Sequence, residues 1–119
     1  MAILRLSEWD GWPGCHEIRL EGELDFTSSG ELEAALDRAV SRRDHVLLDL
    51  AACELIDAAG ISVLVRGHER LRQRGRQLLL FGVHGQVRRL LSMTGLMESE
   101  LIVVEARPQG RRLIAAGGG

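Results

Sequence analysis

The chain contains no lysine. All fifteen of its basic residues are arginine, which reads as a codon-composition bias rather than as chemistry. Aromatic residues make up 3% of the chain and the net charge is −2, a balance that argues against RNA or DNA binding and against docking on an anionic membrane. No apolar stretch approaches the ~20 residues of a membrane span. Arg5, Glu8 and Asp10 interrupt the start, where a signal peptide needs an unbroken apolar core. The two cysteines, Cys15 and Cys53, form neither a C-x-x-C pair nor a zinc-like set and are expected to be free thiols. His16, His45, His68 and His84 are scattered without a short metal spacing. There is no phosphate-binding G-x-x-x-x-G-K-[ST] loop, and no nucleophile stands beside a base in a recognisable pattern. These absences lead to an expectation of a cytoplasmic, non-enzymatic chain with no metal and no cofactor.

What is there suffices for one folded domain. At 119 residues with a 45% apolar share, the chain can bury roughly two-thirds of the surface that it exposes when unfolded. Ile3, Leu4 and Leu6 read as a first strand, and Ser7–Cys15, with Asp10-Gly11 and Pro13-Gly14, as a hairpin turn flanked by Trp9 and Trp12. The tryptophans are expected to cover the sheet edge. Ile18, Leu20, Gly22 and Leu24 alternate with charged residues, the pattern of a half-buried strand. Ser28 and Glu31 have capping-box spacing, followed by Leu32, Ala35, Leu36, Ala39 and Val40 at helical intervals.

Val46–Leu50 is too short for a helix and rich enough in aliphatics for a buried strand, with Ala51–Leu55 as the connection after it. Ile61, Leu64, Val65, His68 and Leu71 then recur at helical spacing up to Gly75. Leu78–Phe81 is a second unbroken apolar strand, best explained by burial on both faces. Val87, Leu90 and Leu91 mark a third helix closing at Gly95, and Leu101–Val104 a last strand. The expected architecture is α/β, in the order β-β-α-β-α-β-α-β, with helices on a mixed central sheet and two right-handed βαβ crossovers. Residues 1–106 form the domain and 107–119 a flexible tail, with no internal repeat.

The joint between the buried strand and the second helix, Leu55-Ile56-Asp57-Ala58-Ala59-Gly60-Ile61, organises the rest. Asp57 stands at the N-cap position, able to accept from the N–H groups of Ala59 and Gly60. The positive end of the helix dipole faces outward there, behind two methyl side chains.

Three stretches together resemble the STAS domain, the fold of bacterial anti-sigma factor antagonists and of sulphate-transporter tails. They are Gly22-Glu23-Leu24-Asp25, then Leu48-Asp49-Leu50 with Ile56-Asp57-x-x-Gly60, and last Val87-Arg88-Arg89-Leu90-Leu91 with Met93-Thr94-Gly95-Leu96. In antagonists of that family the joint resembles Asp-Ser-Ser-Gly or Asp-Ser-Thr-Gly. Its first hydroxyl is phosphorylated by the anti-sigma factor, itself a serine kinase, and phosphorylation breaks the capture. In this chain the acceptor position is Ala58, followed by Ala59, so neither can take a phosphate. Ser62, one turn on, is the second candidate for that role.

The resemblance implies an antagonist that sequesters an anti-sigma factor without the usual switch. Its partner-binding residues would be Asp25, Asp57, Ala58, Ala59, Gly60, Ser62 and Arg66. Ser62 and Arg66 are expected on the exposed side of the helix, and Ile61, Leu64 and Val65 inward. Arg66, Arg70, Arg72, Arg74 and Arg76 read either as a solvated face or as a basic stripe for an acidic partner. Three alternatives stay open. One is a constitutive STAS scaffold or adaptor of a stress-signalling or lipid-transport complex, which could bind other STAS proteins; another is a nucleotide sensor; the third is that alanines stand in place of native serines. A monomer or weak dimer is expected.

Overall fold

In the computed structural model, which describes residues 3–99 and 101–106, five strands form one sheet in chain order. They are β1 (Arg5–Asp10), β2 (Cys15–Leu24), β3 (His45–Ile56), β4 (Leu78–Phe81) and β5 (Ile102–Val104). The helices are α1 (Ser29–Arg42), α2 (Ala58–Gln73), α3 (Gly85–Met93) and the single turn α4 (Leu96–Ser99). β1 and β2 make an antiparallel hairpin, and each later neighbour is parallel. The mixed α/β sheet expected from the sequence is present, with two corrections. Parallel pairing occurs three times rather than twice, at β2–β3, β3–β4 and β4–β5. α4 was not expected, because four residues are too few to show a helical period.

The helices share one face of the sheet. Leu32 and Leu36 of α1, Val63, Leu64 and Leu71 of α2, and Val87 and Leu91 of α3 all join Ile18, Leu20, Leu48, Leu50, Leu78 and Leu80 in a single core. Each such aliphatic side chain stabilises the fold by roughly 1.5–3 kcal/mol when fully buried. Because strand side chains alternate, Leu47 and Leu79 point the other way, into a smaller cluster with Cys15 and Val104. Trp12 packs on that second cluster, whereas Trp9 stays 39% exposed and donates its indole N–H to Glu17 Oε2 at 2.9 Å. Leu78–Phe81 is thus buried from both sides, as its unbroken apolar run required.

Three local expectations need correction. β1 starts at Arg5 and runs to Asp10, so the turn shrinks to its Gly- and Pro-containing tip, closed by Gly11 N–H to Cys15 O at 3.0 Å and Cys15 N–H to Trp12 O at 2.9 Å. Ala51–Leu55 is not a connection but the second half of β3. There β3 carries an extra residue twice against β2, once between Arg19 and Glu21 and once between Gly22 and Glu23. Each bulge resets the alternation, so the stretch no longer reads as a strand. The capping box does not form, since Ser28 makes no side-chain cap to α1. The expected tail, 107–119, lies outside the described residues.

Candidate functional site

β2 and β3 are parallel and end side by side, with Leu24 opposite Ile56. The chain leaves them through Asp25 and Asp57, which brings the loop before α1 up to the start of α2. Asp57 joins the two. Its Oδ1 accepts from Gly60 N–H at 3.0 Å, the N-cap bond, and its Oδ2 accepts from Phe26 N–H at 3.0 Å. The expected bond from Ala59 is replaced by this second one, which reaches across 31 residues of sequence. A cap of this kind is worth about 1 kcal/mol. Beneath it Gly60 is buried, and a Cβ there would lie 2.7 Å from Ile56 Cγ1 and 2.8 Å from the Leu24 carbonyl oxygen. The first turn of α2 therefore rests directly on the strand ends, which no other residue at position 60 permits.

The facing loop is ordered by its own side chains. Asp25 Oδ1 accepts from Thr27 N–H at 2.9 Å and Thr27 Oγ1 at 2.6 Å, the local Asx pattern. The Thr27 hydroxyl, together with backbone N–H groups, holds the Asp25 carboxyl below its ordinary value. Ser28 Oγ accepts from Asp25 N–H and donates to Glu23 O, each at 3.0 Å, so the hydroxyl expected to cap α1 closes this loop instead. Gln86 was not singled out from the sequence. It pairs twice with Ile56, accepting from its N–H at 2.9 Å and donating to its carbonyl at 3.0 Å. β4 pairs with β3 only as far as Asp49, so the Gln86 amide stands in for the missing strand neighbour.

Ala58 is the exposed first residue of α2, with Ser62 and Arg66 exposed one and two turns further on. Ala59 is half-buried, and Gly60 presents no surface. Leu64 is buried and Ile61 packs on the core as expected, but Val63 is buried where Val65 remains half-buried. The arginines of α2 and of the turn after it are largely engaged within the chain. Arg66 meets Glu33 at 3.3 Å, Arg70 pairs with Asp37, Arg72 with Glu69, and Arg76 Nε donates to Arg43 O at 2.7 Å. By contrast, Glu23, Asp25, Glu54 and Asp57 at the strand ends form no ion pair among the described residues. The corner is acidic, and the basic stripe is a set of internal links.

Among the described residues no group of three or more His, Cys, Asp or Glu is placed to hold a metal. Burial pushes the Cys15 thiol up to about 12 and raises that of Cys53, so neither supplies a thiolate near neutral pH. Among the described residues no helix is long and apolar enough to cross a membrane.

Comparison with known proteins agrees with this architecture. The STAS domain family matches residues 10–110. The chain is 32% identical over 83 residues to an anti-sigma F factor antagonist of Paenibacillus polymyxa, covering 68% of this chain and 71% of that one. Its fold is similar to the crystal structure of an anti-sigma factor antagonist from Mycobacterium paratuberculosis, with TM-score 0.84 at 19% identity over 95% of each chain. It is also similar to the phosphorylated form of the Bacillus cell fate determinant SpoIIAA, with TM-score 0.71 at 15% identity, covering 92% of this chain and 99% of that one. A sheet with three parallel pairings and helices on one face thus has its relatives: the chain belongs to the STAS domain family, among its anti-sigma factor antagonists.

Proposed function

We propose that this chain binds an anti-sigma factor at the corner formed by the start of α2 and the Asp25–Ser28 loop, and thereby competes with a sigma factor. The contact surface would comprise Asp25, Asp57, Ala58, Ala59 and Ser62, with Arg66 at its rim and Gly60 supporting it from below. The observation that carries this reading is the pair of hydrogen bonds that the Asp57 carboxylate accepts, from Gly60 N–H and from Phe26 N–H, which ties two separate stretches of chain together. Such a surface loses little further freedom on association. The activity is sequestration rather than catalysis, and it takes place where sigma factors work, in the cytoplasm.

The same geometry supports the absence of an off-switch at Ala58. A hydroxyl at this exposed first helical position would carry a phosphate beside a helix N-terminus, where backbone N–H groups and the dipole tolerate the charge. The fold would survive, and roughly −1.5 to −2 of added charge would fall on the contact. Alanine removes that chemistry. The test is a calorimetric titration with the purified anti-sigma factor of the same cell, followed by incubation with ATP. We expect binding by the natural chain, weakening of at least about tenfold by Ala58→Asp, and phosphate uptake only after Ala58→Ser. Failure of the natural chain to bind contradicts the reading, and phosphate uptake at Ser62 contradicts the missing switch.

A further inference from the structure

Exposed apolar side chains are ordinary on a folded protein when scattered singly. Here three of five share one end of the sheet. Among the described residues the exposed large hydrophobics are Ile3 and Phe26, each 78% exposed, Leu55, Trp9 and Met93. Three of them, Ile3, Phe26 and Leu55, lie at the one edge where β2 and β3 end. Ile3 runs beside Gly22, Leu55 is opposite Glu23, and Phe26 is bonded through its N–H to Asp57. Exposed Ala58 follows directly after that aspartate. Phe26 belongs to neither core cluster, so the fold gains nothing visible from an aromatic ring at this position.

Resting on the anti-sigma reading above, we propose that Phe26 is the apolar anchor of that interface, inserted into a hydrophobic pocket of the anti-sigma factor, with Ile3, Leu55 and Ala58 around it. Its backbone is held in advance, by Asp57 at its own N–H and by the Asp25–Thr27 bonds on either side. A large side chain on a fixed backbone can be buried at small entropic cost, the condition under which aromatic residues dominate binding. The carboxylates Glu23, Asp25, Glu54 and Asp57 surround the patch without arginine partners among the described residues. They turn away anionic lipid and nucleic acid and call for a protein face whose pocket is rimmed by Arg or Lys.

The test uses the full chain and the same purified anti-sigma factor, titrated against Phe26→Ala, Ala58→Asp and, as a distant surface control, Met93→Ala. Because Asp57 bonds the backbone of residue 26 and not its ring, Phe26→Ala should fold normally, and its melting temperature should match that of the natural chain. The expected result is a loss of affinity of about thirtyfold for Phe26→Ala, with Met93→Ala unchanged. If Ala58→Asp weakens binding while Phe26→Ala stays within about twofold of the natural chain, the anchor is refuted and the site stands. If the natural chain does not bind, the anti-sigma reading falls and the anchor with it.

Discussion

The two parts of helix α2 differ in what they offer a partner. Its body is dense in arginine, yet Arg66 and Arg70 reach across to Glu33 and Asp37 of α1 and Arg72 to Glu69, while Arg76, just past the helix, bonds a backbone carbonyl. Its first turn, Ala58–Ile61 behind the capping Asp57, has no basic residue, but it sits beside exposed apolar side chains and carboxylates that form no ion pair among the described residues. A charge run in sequence counts ionisable groups; the structure shows where they are already used. On the proposed reading the recognition surface is the corner, while Arg66 and Arg70 link α2 to α1.

This contrast can be broken at several points. The largest effect is expected from Gly60→Val, whose side chain meets Ile56 and the Leu24 carbonyl at contact distances already too short for a single Cβ. It should cost about 3 kcal/mol in chemical denaturation and lose the partner as well, because the helix start is lifted from the strands. Asp57→Ala should cost about 1–2 kcal/mol by removing the cap and freeing Phe26 N–H. Hydrogen exchange at Phe26 should accelerate with it; unchanged protection would mean that the loop is held by something else.

At the opposite end of β3, His45 sharpens the comparison. Burial, followed by the nearby Arg76, lowers its pKa from the ordinary 6.5, and its Nδ1 accepts from Gln77 N–H at 3.1 Å. Folding thus favours the neutral ring, so its stabilisation is complete above about pH 6.5 and declines as the pH falls through the lowered value. Glu8, whose burial is outweighed by bonds from His16 and Arg38, is also lowered, but from 4.5, so its loss begins only in more acidic solution. The melting temperature should fall between pH 7 and pH 5.5, and His45→Asn should flatten that fall. An unaltered slope would remove His45 from the account. The smallest effect is expected from Arg70→Gln, about 0.5 kcal/mol or less for an exposed pair, with partner affinity unchanged.

The face of α1 was legible because its period survives in the sequence, whereas on α2 the buried Val63 was missed and Val65, expected inward, is half-buried. Leu32, Ala35, Leu36, Ala39 and Val40 are all buried as spaced. The N-cap role of Asp57 was legible for the same local reason, with Gly60 three residues on. What escaped notice depends on contacts distant in sequence. Asp57 to Phe26, Gln86 to Ile56, and Arg66 to Glu33 each join residues 30 or more apart, and no local pattern records them. The second half of β3 was hidden differently. Its two bulges break the alternation on which strand recognition rests, so Ala51–Leu55 looks like a loop and pairs like a strand. Ser28 shows the reverse case, in which a correct local motif lost its hydroxyl to a nearby loop.

The most direct test of the central claim sets the two parts of α2 against each other. Ala58→Asp and Arg70→Gln, in the full chain, are each titrated with the purified anti-sigma factor under the same salt. We expect Ala58→Asp to weaken binding by at least about tenfold and Arg70→Gln to stay within about twofold of the natural chain. The opposite ranking, with Arg70→Gln weakened and Ala58→Asp unaffected, would place the partner on the arginine face and contradict the site proposed at the start of the helix.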